Sequence, residues 1–174
     1  NRFVAGFMGS PAMNFATVRL HGDDHATVAL DGLEFEIPDG LRRYPGLANR
    51  LGSQVVIGLR PAAFTVAGAG SRAVIDVVPL GVESLGDEQH LLFRAPRDAR
   101  TGVRTDLGDV PVAVDDSSGA RLWTAKVTQH ADLAIGRPVR LAIDLSRAYF
   151  FDTDSGEAIA KVVPTTHPEA VLQA

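Results

Sequence analysis

The chain has 174 residues, with 17 Lys+Arg against 21 Asp+Glu for a net charge of −4, 45% hydrophobic residues and no Cys. That length suffices for one ordinary domain that holds its core without metal or disulfides. The missing thiols exclude a disulfide scaffold, cysteine catalysis and thiolate metal sites, and the acidic balance speaks against affinity built on neutralising phosphates.

Phe3, Val4, Phe7 and Met8 share one helical face until Gly9-Ser10-Pro11 stops it, which predicts one short N-terminal helix. Residues 15–20, 26–30 and 33–37 then read as three strands joined by tight turns, the first of them the turn-rich His21-Gly-Asp-Asp-His25. Residues 38–52 mix Pro, Gly and Arg and read as a longer connection, whereas 55–59 form an apolar, β-branched run expected to be buried on both faces. Beyond Arg60-Pro61 come a Gly-rich joint at 68–70, strands at 73–78 and 89–94, and a polar stretch at 100–108. Further strands are expected near 110–114, at 122–127 and at 139–143, followed by a closing hairpin of 148–151 and 157–160 around the turn 152–156. Short strands at this spacing predict a mainly β fold, a closed or nearly closed antiparallel barrel. Residues 163–174 read as a frayed tail.

No apolar run approaches the roughly 20 residues that span a bilayer. No basic-then-apolar leader and no initiator Met open the chain, so a soluble fragment of a longer protein is expected.

Three stretches mimic functional motifs. Gly68-Ala-Gly70 with Ala73 matches a dinucleotide fingerprint in letters, but a strand pattern follows where the pyrophosphate needs a helix N-terminus. His21 and His25 would share a face for zinc on a helix, yet here they bracket a turn. Asp152, Asp154 and Glu157 resemble a calcium loop with Gly156 one position early and the distant Glu missing, so a hairpin turn accounts for them. No Gly-x-Ser-x-Gly elbow occurs, and the histidines at 21, 25, 90, 130 and 167 have no nucleophile nearby in sequence. Neither Lys126 nor Lys161 follows a glycine, so the chain contains no phosphate-binding P-loop.

The segment Phe3-Val-Ala-Gly-Phe-Met-Gly-Ser-Pro-Ala-Met-Asn14 resembles the passage from the nucleotide-binding domain into the C-terminal regulatory domain in ATPase subunits of maltose-type carbohydrate importers of the ABC transporter superfamily. Val56-Ile-Gly-Leu-Arg-Pro61, Val77-Val-Pro-Leu-Gly-Val-Glu83 and Tyr149-Phe-Phe-Asp-Thr-Asp-Ser-Gly-Glu-Ala-Ile159 are similar to that family's Arg-Pro strand end, its Leu-Gly-x-Glu turn and its closing hairpin. The likeness covers about residues 2–160. Ala62 stands where the family carries an acidic residue, and Ser155 where Thr is commoner.

The resemblance implies an OB-like, transport-associated (TOBE-like) regulatory barrel with extra strands. Residues 1–14 would form the connecting helix and exit loop from a missing ATPase domain, 15–162 the barrel and 163–174 the tail. This piece would be non-catalytic and free of cofactor, ATP and Mg belonging to the missing domain. Its expected partners are a second copy of itself, the ATPase domain in cis, the permease subunits and a regulatory protein, with neither nucleic acid nor direct membrane insertion. Its place would be cytoplasmic, peripheral at the inner face of the plasma membrane.

Phe3, Phe7, Met8, Gly9, Ser10, Pro11, Met13, Asn14, Gly58, Arg60, Pro61, Gly81 and Glu83 are the candidate interface or regulatory residues. Gly9 and Gly81 are expected in turns, and Gly58 where another backbone approaches. Met13 and Asn14 either touch the partner subunit or serve as core filler and turn residue. Two other classes compete. One is a free-standing OB module for a small anion or sugar phosphate. The other is single-stranded nucleic-acid binding, disfavoured by 6% aromatics and the negative charge.

Overall fold

The computed structural model describes residues 11–97, 121–128 and 132–162. The expected opening helix, the strand near 110–114 and the tail lie outside them. Among the described residues the chain forms three antiparallel sheets, beginning with β1 (Asn14–His21), β2 (Thr27–Leu30), β3 (Leu33–Glu36) and β4 (Gln54–Leu59). β1 pairs with β4 from Asn14 opposite Leu59 to Arg19 opposite Gln54, and β2 and β3 extend the sheet on the far side of β1. The β2–β3 turn is Asp31-Gly32 with φ of 54° and 75°. Positive φ at both central residues matches the twist of a tight hairpin, and the Asp-Gly pair adopts it readily.

Between β3 and β4 lies more than a connection. A short helix α1 (Gly40–Arg43) runs into a 3-10 helix (Pro45–Arg50), and they turn Tyr44 and Leu47 into the core. Tyr44 spends its hydroxyl on the Ala148 carbonyl at 2.5 Å, as a buried phenol must, and meets the Phe150 ring edge-on with centroids 5.1 Å apart.

A 3-10 turn, Pro61–Ala63, leads into β5 (Phe64–Val66). β6 (Val74–Val77) follows, and both pair with β10 (Val139–Ile143). The third sheet holds β7 (Pro79–Leu85), β8 (Glu88–Arg94) and β9 (Leu122–Val127). β7 is a correction: a turn is expected at Gly81, yet the strand pairs with β8 up to Leu85 opposite Glu88, with a bulge between Pro79 and Gly81. Gly81 is therefore a strand residue, and a Cβ there would lie 3.5 Å from Leu92, an ordinary contact. The last strand, β11 (Tyr149–Phe151), returns to the first sheet beside β4, with Tyr149 opposite Gly58.

One continuous core joins the three sheets. Val18, Leu20, Ile57 and Leu59 meet Phe64, Phe93, Trp123 and Leu141 within it, and Phe64, Phe93 and Trp123 stack edge-to-face. The run 55–59 is buried on both faces, as its composition requires, because a second cluster of Met13, Phe15, Val56 and Phe151 covers the other side of β1, β4 and β11.

Candidate functional site

The described candidates separate into two groups. Met13, Asn14, Gly58, Arg60 and Pro61 gather where β1 begins and β4 ends, whereas Gly81 and Glu83 sit on β7 in the third sheet. Pro11 is half-buried just ahead of the first group. Phe3, Phe7, Met8, Gly9 and Ser10 lie outside the described residues.

The first group is largely internal. Met13 is buried in the second cluster, so it fills core space. Asn14 is neither a turn residue nor available to a partner: it is buried, and its amide binds the Thr124 backbone twice, Nδ2 donating to the carbonyl and Oδ1 accepting from the N–H, each at 2.8 Å. Gly58 admits side chains and not a second backbone. A Cβ there would stand 2.5 Å from Met13 Sδ and 3.1 Å from ring atoms of Phe15 and Phe151. Pro61 is buried and opens the 3-10 turn. Arg60 lays its guanidinium over the exposed Tyr149 ring, 5.5 Å from the centroid, which leaves this pair as the solvent-facing feature of the group.

Glu83 is exposed and stands across from His90. His90 Nε2 lies 3.2 Å from Glu88 Oε1, and Lys126 pairs with the other carboxylate oxygen. The Lys126 hydrogen bond is the main cause that holds Glu88 below its ordinary pKa. The sequence reading missed this row because it spans three strands.

The closing hairpin carries a polar clasp. Asp152 Oδ1 accepts from the backbone N–H groups of Asp154 and Ser155, and Oδ2 meets Arg50 Nη2 at 3.0 Å. These hydrogen bonds, from the Ser155 backbone N–H first and then from the Arg50 guanidinium, hold the Asp152 pKa at about 2. Arg50 also donates to the Gly46 carbonyl. The open cavity beside them, about 270 Å³, is lined by Gly46, Arg50, Asp152, Ser155 and Glu157 among others. Its donors and acceptors are spent mainly on one another, which makes it a structural clasp between the 3-10 helix and the last hairpin.

The three motif mimics take the structural form expected of them. Gly68 and Ser71 close a turn that leads into β6, so no helix N-terminus faces the glycines. His25 approaches Glu36 at 3.7 Å on an exposed hairpin edge, and among the described residues no three ligating side chains gather for a metal.

Residues 9–64 match the family model of the MalK OB fold domain. The chain contains an OB fold domain. The trehalose import ATP-binding protein SugC of Mycobacterium tuberculosis is 34% identical over 165 residues, covering 90% of this chain and 40% of SugC. The maltose/maltodextrin import ATP-binding protein MalK of Vibrio vulnificus is 36% identical over 62% of this chain and 32% of its own. The sn-glycerol-3-phosphate import ATP-binding protein UgpC of Bordetella pertussis is 38% identical over 50% of this chain and 22% of its own. The chain thus spans 40% or less of the length of these curated relatives, all ATP-binding proteins of import systems. No helix among its described residues is long and apolar enough to cross a membrane.

Proposed function

We propose that this chain is the regulatory and dimerisation domain of the ATP-binding subunit of an ABC importer, and that the whole subunit drives uptake of a sugar or sugar-like solute. The observation that carries this reading is the 34% identity to SugC over 90% of the chain, which reaches far beyond the segment matched by the MalK OB fold. Trehalose, maltodextrin and glycerol 3-phosphate, named for the relatives, define the solute class.

In this role the fragment is non-catalytic. Nucleotide and Mg belong to the ATPase portion, because a P-loop needs a Gly-Lys step and both lysines here follow alanine. The domain holds two ATPase halves at high effective concentration while they open and close, and works at the cytoplasmic face with the permease subunits. Regulatory proteins act through the same barrel.

The test replaces the matched 165-residue segment of SugC by this chain. Retained ATP hydrolysis and trehalose uptake support the assignment, and a folded chimera without either refutes it. Calorimetry of the chain alone should show no Mg-ATP binding, and micromolar affinity would contradict the non-catalytic role.

A further inference from the structure

The tripeptide Asp-Gly-Leu occurs at residues 31–33 and again at 39–41, and the fold places the two copies in opposite settings. Both aspartates are left-handed, with φ of 54° at Asp31 and 52° at Asp39. Asp31 and Gly32 form the tip of the β2–β3 hairpin. There Asp31, Gly32, Leu33 and Glu34 are all exposed, and a Cβ added at Gly32 would meet nothing within 4 Å. β3 is the outermost strand of its sheet and is held to β2 by a register running only from Leu30 opposite Leu33 to Thr27 opposite Glu36. A short edge hairpin opens from its tip at low cost, because few contacts are lost.

Asp39 and Gly40 lead into α1 instead. Gly40 is buried, its N–H donates to the Ile37 carbonyl at 2.9 Å, and the Asp39 carbonyl accepts from the Arg43 N–H at 2.8 Å. A Cβ at Gly40 would stand 3.0 Å from Ile37 and 3.1 Å from Ala26, both of them core residues. Opening this turn therefore disturbs the core.

An Asp-Gly step can react with itself, because glycine has no side chain to shield its nitrogen. The glycine nitrogen bonds to the aspartate side-chain carboxyl carbon, and the carboxyl hydroxyl leaves with the amide proton as one water molecule. The resulting five-membered imide takes water back. Opening at the side-chain carbonyl restores aspartate, whereas opening at the main-chain carbonyl routes the chain through the side chain and yields isoaspartate of unchanged mass. Ring closure requires ψ to turn away from the left-handed value, so the reaction waits on local opening.

We propose that Asp31 is a site of spontaneous isoaspartate formation in the folded protein, and that the fold protects Asp39 although the two share one local sequence. The modification lengthens the two-residue loop by one main-chain carbon. The register of β2 and β3 depends on a loop of that length, so β3 loosens. This inference is independent of the importer role.

The 174-residue chain is incubated folded in buffer and, in parallel, unfolded in guanidinium chloride. Isoaspartate is located by peptide mapping, through methyl transfer by an isoaspartyl methyltransferase and loss of cleavage by an aspartate-specific endoprotease. In the folded chain Asp31 should convert about tenfold or more faster than Asp39, the ratio set by an opening-cost difference of about 1.4 kcal/mol. In the unfolded chain the two rates should agree. Asp31→Asn and Asp39→Asn close the same ring by expelling ammonia, which reads as a gain in mass, and asparagine suits a left-handed position. The same ratio should separate these two variants. Folded rates that are equal at the two sites overturn the proposal, and so does a folded chain that forms no isoaspartate at Asp31. Hydrogen exchange at residues 33–36 should be faster in the isoaspartyl form, and unchanged exchange there overturns the loosening of β3.

Discussion

Asn14 and Thr124 lie 110 residues apart and exchange two hydrogen bonds of 2.8 Å, so one side-chain amide takes the place of a neighbouring strand for the edge of β9. It thereby links the first sheet to the third, whose backbone ladders are otherwise separate among the described residues. Asn14→Ala leaves the Thr124 N–H and C=O without their partner and should cost about 2–4 kcal/mol in urea unfolding. Asn14→Asp keeps the acceptor and sets a carboxylate oxygen against the Thr124 carbonyl, so it should be at least as destabilising at pH 7, with the deficit shrinking at acid pH.

Gly58 is held to glycine by side chains lying over β4. Gly58→Ala should destabilise by about 1–3 kcal/mol through overpacking. Met13 is flexible and can yield, but the Phe15 and Phe151 rings press from the same side. The double variant Gly58→Ala/Met13→Ala should therefore recover only part of the loss and show clear non-additivity in a double-mutant cycle.

The clasp at Asp152 makes stability depend on pH. Its pKa is about 2 in the folded chain against an ordinary 3.8, so the unfolded state takes up the proton first as pH falls. The contribution is complete above about pH 5, on the order of 1–2 kcal/mol, and is lost as pH drops through 3.8 toward 2. Asp152→Ala should lower the urea midpoint at pH 7, and its curve should converge on the wild type near the acid end. A constant gap at all pH values would contradict the assignment.

Trp123 is the chain's single tryptophan and is 1% exposed, packed against Phe64 and Phe93. Its emission should be blue-shifted and poorly quenched by acrylamide. The indole N–H has no hydrogen-bond partner among the described residues. Trp123→Phe removes that unpaired donor and should cost less than the about 3–5 kcal/mol of Trp123→Ala, measured by far-UV circular dichroism.

Strands with regular alternation or uniform apolar character were legible from sequence. Residues 122–127 and 139–143 read directly as β9 and β10, and 55–59 as a doubly buried strand. β7 was not, because Pro79 and Gly81 discourage a strand reading and the bulge between them breaks the two-residue period. α1 and the following 3-10 helix are too short for periodicity and begin at Gly40 and Pro45, residues that discourage a helix reading. The candidate site was less legible than the fold. Asn14 was singled out, but its partner lies on a strand that no local pattern connects to it.

The placement of β4 between β1 and β11 bears on how the polypeptide is made. One flank of β4 is supplied by residues 14–19 and the other only by 149–151. A nascent chain stopped anywhere before the closing hairpin exposes the Val56–Gly58 edge, with its unpaired N–H and C=O groups, to any strand nearby. Sheet completion must therefore wait for nearly the whole segment to leave the ribosome, and pairing at such sequence separation is slow. Premature termination upstream of Tyr149 should yield insoluble product, and chaperone dependence should concentrate in that interval of synthesis.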